Sequence, residues 1–253
     1  MKITILTLFP EMVEGFFSNS IMKRAVERGL VEYQVVNWRQ WATDRHQSCD
    51  DIPYGGGAGM VISCEPMFAA LDAHDAKSKR VIYPSPSGRL FDQQWAKELS
   101  GEEELLFICG HYEGLDQRII DEYVDDEISI GDYVISSGEV ASLVIIDALY
   151  RHIEGVIKTD SLEEESFEGG LLEYPHYTRP ETYCSKSVPT VLLSGHHAKI
   201  ERWRLQKRLE RSMERRPDLL ERANLDADSR KIFNALRTQS AKGTVDDGRN
   251  ESY

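Results

Sequence analysis

Glycines 110, 114, 131 and 138 punctuate the stretch LLFICGHYEGLDQRIIDEYVDDEISIGDYVISSG, residues 105–138. Each marks a place where the backbone turns tightly or approaches another group closely. Gly131 interrupts the apolar run 128–135 and points to a bulge or a close partner rather than ordinary strand pairing. Backbone amides and carbonyls would do the chemistry here, as a bed for a ligand. A second stretch, IPYGGGAGM at 52–60, has glycine at 55, 56, 57 and 59. It reads as a loop cradling an anion or a flat ring, or as a flexible surface turn. No Gly-Lys-Ser/Thr follows, so it is not a Walker A loop, and it does not match G-x-G-x-x-G. Asp121, Glu122, Asp125, Asp126 and Glu127 read more simply as a solvated helix end than as metal ligands.

The elements that must position these groups alternate between strand and helix. KITILTL at 2–8 is a first strand, and Pro10 opens a helix. A further helical piece at 21–28 is capped by Gly29, and VEYQVVNW at 31–38 alternates as a second strand. This βαβ order predicts a mostly parallel sheet. KRVIY at 79–83 is a third strand, running into YPSPSGR, a loop too rich in Pro and Gly to continue it. A helix at 91–99 precedes the strand LLFIC at 105–109, and 115–124 has helical spacing with Asp116 near its start. Three successive strand ends thus deliver glycine-bearing loops at 83–88, 110–114 and 128–138, the expected place for a ligand in an α/β sheet. The helix EVASLVIIDALYRHI at 139–153 is apolar around most of its circumference, which calls for burial on several sides, including a subunit interface. Arg151 near its end is a costly place for a cation without a purpose.

The composition then changes. Residues 160–174 are polar and acidic and read as a mobile interdomain linker between an α/β domain at 1–159 and a helical domain at 175–237. KIERWRLQKRLERSMERR at 199–216 concentrates Arg and Lys, a nucleic-acid backbone footprint set against the alternative of a solvated helix face. Two short helices follow, and 238–253 reads as a disordered polar tail. The 253 residues carry a net charge of −13, which argues against general coating of nucleic acid or an anionic membrane but leaves room for a local basic surface. No apolar run approaches membrane-spanning length, and the N-terminus does not read as a signal peptide. Cys49, Cys64, Cys109 and Cys184 form no C-x-x-C pair and read as free thiols of a reducing cytoplasm.

The order of DRHQSCDDIPYGGGAGM, YPSPSGR, CGHYEGLDQR, SIGDYVISSGE, YPHYTRP and LLSGHHAKIERWR resembles the bacterial tRNA (guanine-N1)-methyltransferases over nearly the whole chain. The resemblance implies a SPOUT-class α/β fold with a deep trefoil knot and a small all-helical C-terminal domain. It also implies a homodimer with its active site at the subunit interface. S-adenosylmethionine would be the methyl donor, with Mg²⁺ as a further requirement, and the substrate the guanine immediately 3′ of a tRNA anticodon. By the family's pattern Tyr83, Pro86 and Gly88 line the adenosine side of the donor. Gly110, Glu113, Ser129, Ile130, Gly131, Asp132, Tyr133, Val134, Ile135 and Gly138 complete its bed. Asp50, Tyr54, Glu173, Arg202, Lys207, Arg208 and Arg211 would meet the RNA.

Guanine N1 holds a proton at neutral pH, so methylation asks for a base near N1 and a cation near O6. Arg151 matches the family's arginine for O6. Glu165 stands where the family has its basic aspartate, with Glu163 and Glu164 beside it. Further departures are Glu173 for a second aspartate, His111 for Arg, Ser137 for a glycine, Ala58 for proline and His196 for Asn or Asp. The rival readings are a non-catalytic RNA-binding module, a nucleotide-binding protein using YGGGAGM, and a ribose 2′-O methyltransferase.

Overall fold

The computed structural model describes residues 1–158 and 165–246, with side chains through 238. The chain divides into two units, Met1–Lys158 and Thr159–Tyr253. The first runs β1 (Lys2–Thr7), α1 (Pro10–Phe17), α2 (Ser20–Glu27), β2 (Glu32–Asn37), β3 (Asp50–Asp51), β4 (Val61–Ile62), α3 (Cys64–Ala73), β5 (Arg80–Leu90), α4 (Gln93–Leu99), β6 (Glu104–Ile108), α5 (Gln117–Tyr123), β7 (Asp126–Ser129) and α6 (Gly138–Tyr150).

Five strands form one parallel sheet in the order β2-β1-β6-β5-β7. Strand side chains alternate between its faces. Ile3, Ile5, Leu105 and Phe107 pack with Val13 and Phe17 of α1, Met22 of α2, Leu99 of α4 and Ile145 of α6. Leu6, Leu106 and Ile108 pack on the other face with Met67 and Leu71 of α3 and Ile119 of α5. Both faces are covered, which is why central β6 reads as a continuous apolar run, whereas edge strand β2 alternates.

Two boundaries differ from the sequence reading. The strand predicted to stop at Tyr83 continues as β5 to Leu90. Its prolines suit extended backbone, and the ladder to β7 slips where they stand, Ile128 being opposite both Pro84 and Arg89. The apolar run 128–135 is strand only as far as Ser129, and β7 ends there. Residues 130–137 leave the sheet as a loop.

The acidic group at 121–127 is absorbed by the fold. Asp126 takes Arg80 Nε at 2.6 Å, Asp125 accepts from the Val81 amide at 2.8 Å, and Glu122 pairs with Lys77.

The second unit holds the hairpin β8 (Thr182–Tyr183) and β9 (Lys186–Ser187), then α7 (Thr190–Leu193), α8 (His197–Arg215), α9 (Pro217–Arg222) and α10 (Ala227–Asp246). Helix α10 carries past Arg237, where the helical part was expected to end, through residues assigned to a tail; 247–253 lie outside the described residues. The segment from Glu165 to 174, expected within the linker, is folded against α8. Leu171 and Tyr174 are buried, the Leu172 amide donates to Ser212 Oγ at 2.9 Å, and Arg204 lies over the Tyr174 ring at 4.7 Å.

Candidate functional site

A cleft of about 240 Å³ opens in the first unit beside the middle of β5 and the ends of β6 and β7. Its lining includes Tyr83, Pro86, Gly110, Glu113, Ser129, Ile130, Gly131, Tyr133, Val134, Ile135 and Gly138, all predicted as donor-binding residues. Gly88 and Asp132 are not part of that lining. Gly88 acts behind the wall, where a Cβ would lie 2.4 Å from the backbone carbon of Glu127. Asp132 is exposed on the 130–137 loop.

Glycine is required by space as well as by conformation. A Cβ at Gly138 would meet the Gly110 amide nitrogen at 2.4 Å, and the Gly138 N–H donates to Gly110 O at 2.8 Å. At Gly110 a Cβ would press on the Tyr83 ring at 2.9 Å. Gly131 has φ 145°, a conformation side chains rarely adopt. Burial pushes the Tyr83 phenol up from its ordinary pKa and, more strongly, the Cys109 thiol at the end of β6. Both remain neutral at physiological pH.

The floor is stitched to the glycine loop at 52–60. The Glu113 amide donates to Met60 O at 3.0 Å, the Ile62 amide to Gly114 O at 2.9 Å, and the Asp116 amide to Ile62 O at 3.1 Å. Asp116 caps α5, and the Arg118 guanidinium holds its carboxyl far below the usual carboxylate range. Asp50 stands in β3, paired with Ile62, and Tyr54 at the loop tip is fully exposed.

Sequence reasoning missed a buried polar cluster beside the cleft. Glu139, in the first turn of α6, is 0% exposed. It accepts from Thr7 Oγ1 at 2.5 Å and from His111 Nε2 at 2.7 and 2.9 Å. The signal available was a carboxylate opening an otherwise apolar helix. Ser137 Oγ, also in the cleft wall, is buried and unpaired among the described residues.

Arg151 is the C-cap of α6 in the first unit, and Glu165 begins the described part of the second. Glu163 and Glu164 lie outside the described residues. Glu173 pairs with His176. On α8, Arg202 is exposed and Arg211 half-buried, while Lys207 pairs with Glu210 at 2.5 Å. Arg208 turns inward and donates to the Glu168 carbonyl at 2.6 Å. Among the described residues no three His, Cys, Asp or Glu groups converge as metal ligands, and no helix is long and apolar enough to cross a membrane.

The family model described as tRNA (Guanine-1)-methyltransferase TrmD matches residues 1–222. The chain belongs to this family. Proteins named tRNA (guanine-N(1)-)-methyltransferase are similar to it over most of their length. That of Treponema denticola is 63% identical over 223 residues, 88% of this chain and 92% of the relative. That of Treponema pallidum is 56% identical over 227 residues, 90% and 91% of the two chains. That of Borrelia turicatae is 58% identical over 221 residues, 87% and 92%. Membership makes the chain an enzyme, a tRNA (guanine-N1)-methyltransferase, and the cleft its candidate donor site.

Proposed function

We propose that this enzyme transfers the methyl group of S-adenosylmethionine to N1 of the guanine immediately 3′ of a tRNA anticodon. The observation that carries the donor assignment is the gathering of most of the predicted donor-binding residues in one glycine-walled cleft. Its wall is closely packed, with no room for a Cβ at Gly110 beside the Tyr83 ring or at Gly138 beside the Gly110 backbone. S-adenosylmethionine supplies an electrophilic methyl on a sulfonium.

The chain supplies the rest. Glu165 takes the N1 proton, and the nitrogen lone pair so freed attacks the methyl carbon as its bond to sulfur breaks, the sulfur keeping that electron pair and leaving as a neutral thioether. Arg151 balances the negative charge that collects on O6 as N1 is deprotonated. Arg202 and Arg211 on α8 provide the basic surface for the RNA backbone, with Tyr54 and Asp50 near the target base. We assign Arg208 to holding the 168–172 segment as well. Magnesium, which the resemblance implies, has no three-group ligand set among the described residues, and no step is assigned to it.

The enzyme acts as a homodimer in this reading, with the deep trefoil knot and cytoplasmic location typical of the class. Val140 and Val144, one turn apart on α6, are 47% and 46% exposed, and Phe9 and Met12 add further exposed apolar surface. A second copy is the simplest cover for such a face.

The test is methyl transfer from labelled S-adenosylmethionine to an unmodified transcript with guanine 3′ of the anticodon. The product base is mapped by nuclease digestion and mass spectrometry. N1-methylguanine there is the expected result; methyl on a ribose 2′-oxygen, or RNA binding without transfer, would overturn it. Glu165→Gln should lower turnover by roughly 10²–10⁴-fold with donor affinity unchanged. Near-normal turnover would move the base to Glu163 or Glu164.

A further inference from the structure

The cleft lining contains one basic side chain, His111, and one acidic side chain, Glu113. The remaining side chains that line it are neutral. His111 is fixed from one side only. Its Nε2 faces both oxygens of Glu139 at 2.7 and 2.9 Å, and the Phe9 ring packs against it with centroids 4.9 Å apart. A carboxylate is an acceptor only, so Nε2 carries the hydrogen. No hydrogen bond to Nδ1 occurs among the described residues. Glu139 is fully buried, with Thr7 its other hydrogen-bond donor, and among the described residues His111 is its ion-pair partner when the ring is protonated. In that protonated form Nδ1 is also a donor, and the ring bears positive charge.

We propose that His111 binds the α-carboxylate of the methyl donor through Nδ1, with Glu139 as the residue that positions it. This rests on the assignment of the cleft to S-adenosylmethionine. The amino-acid end of that molecule is a zwitterion, and the cleft offers one side chain of each sign. His111 takes the carboxylate and Glu113 the ammonium. Glu139 never touches the donor; it orients the ring and supplies the countercharge.

Calorimetric titration with S-adenosylmethionine and with its decarboxylated analogue tests the assignment. Wild-type protein should prefer the carboxylate-bearing donor by about tenfold or more, the order of a charge-assisted hydrogen bond. His111→Gln should erase that preference by weakening S-adenosylmethionine alone, while His111→Arg, which keeps a cation, should retain it. Glu139→Gln should reduce the preference without abolishing it, because the ring keeps a neutral hydrogen-bond partner.

Equal affinity of wild-type protein for the two probes overturns the inference and leaves the donor site standing. Equal weakening of both probes by His111→Gln does the same. Failure of wild-type protein to bind either probe overturns both this inference and the donor site.

Discussion

The two glycine-rich regions of the first unit are alike in composition and opposite in environment. At Gly55, Gly56 and Gly57 a Cβ would meet nothing within 4 Å, and all three have positive φ. At Gly88 and Gly138 a Cβ would strike backbone at 2.4 Å, yet neither has positive φ. Glycine serves conformation at 55–57 and close packing at 88 and 138, while Gly59 serves both, with φ 87° and a Cβ that would lie 2.3 Å from the Glu113 carboxylate. Composition alone cannot separate these uses. The most conspicuous run of glycines, at 55–57, is the least packed.

Substitutions that add one methyl group break this comparison most directly. Gly138→Ala should have the largest effect, since the atom it meets is backbone and cannot turn aside. A loss of about 3 kcal/mol, a fall in Tm of roughly 10 °C and no measurable donor binding are expected. Calorimetric melting with a donor titration checks it; donor affinity near wild type would mean that the wall yields. Arg208→Ala comes next. It removes the Glu168 carbonyl's partner and should destabilise the second unit by about 1–3 kcal/mol while leaving the first untouched, as amide exchange resolved by unit would record. Gly56→Ala should be mildest. Its φ of 76° costs about 1 kcal/mol for alanine, but the space is open, so donor affinity should stay unchanged. Lost donor binding by that variant would unite the two glycine regions in one role.

The sheet was legible because central β6 is buried on both faces and reads as an apolar run, while edge strand β2 alternates. β6 differs from its predicted span by one residue at each end. What periodicity could not convey was β5 running through its prolines, since the slip from Pro84 to Arg89 against Ile128 depends on a partner strand far away in sequence. For the same reason the helix at 197–215 was legible as an element but its charges were not. Arg202 and Arg208 look alike in the sequence; only packing turns the second toward backbone carbonyls. The resemblance names most of the residues that line the candidate cleft, while the Thr7–Glu139–His111 cluster joins positions 132 residues apart and carries no local pattern. The segment at 165–174 looked mobile by its acidity, but two buried side chains, Leu171 and Tyr174, hold it.

The order of strands also sets a gradient of motion across the candidate cleft. β6 lies at the centre of the sheet and delivers Gly110, whereas β7 lies at its edge and delivers the 130–137 loop. One wall of the cleft therefore hangs from the amides that open last, and the other from amides with hydrogen-bonded neighbours on one side only. A bound donor lends most of its protection to the edge wall, because the central wall is already close to the ceiling set by global unfolding. Occupancy of this cleft is thus read in the slowing of proton exchange around Ser129 to Ile135, with β6 as the internal clock.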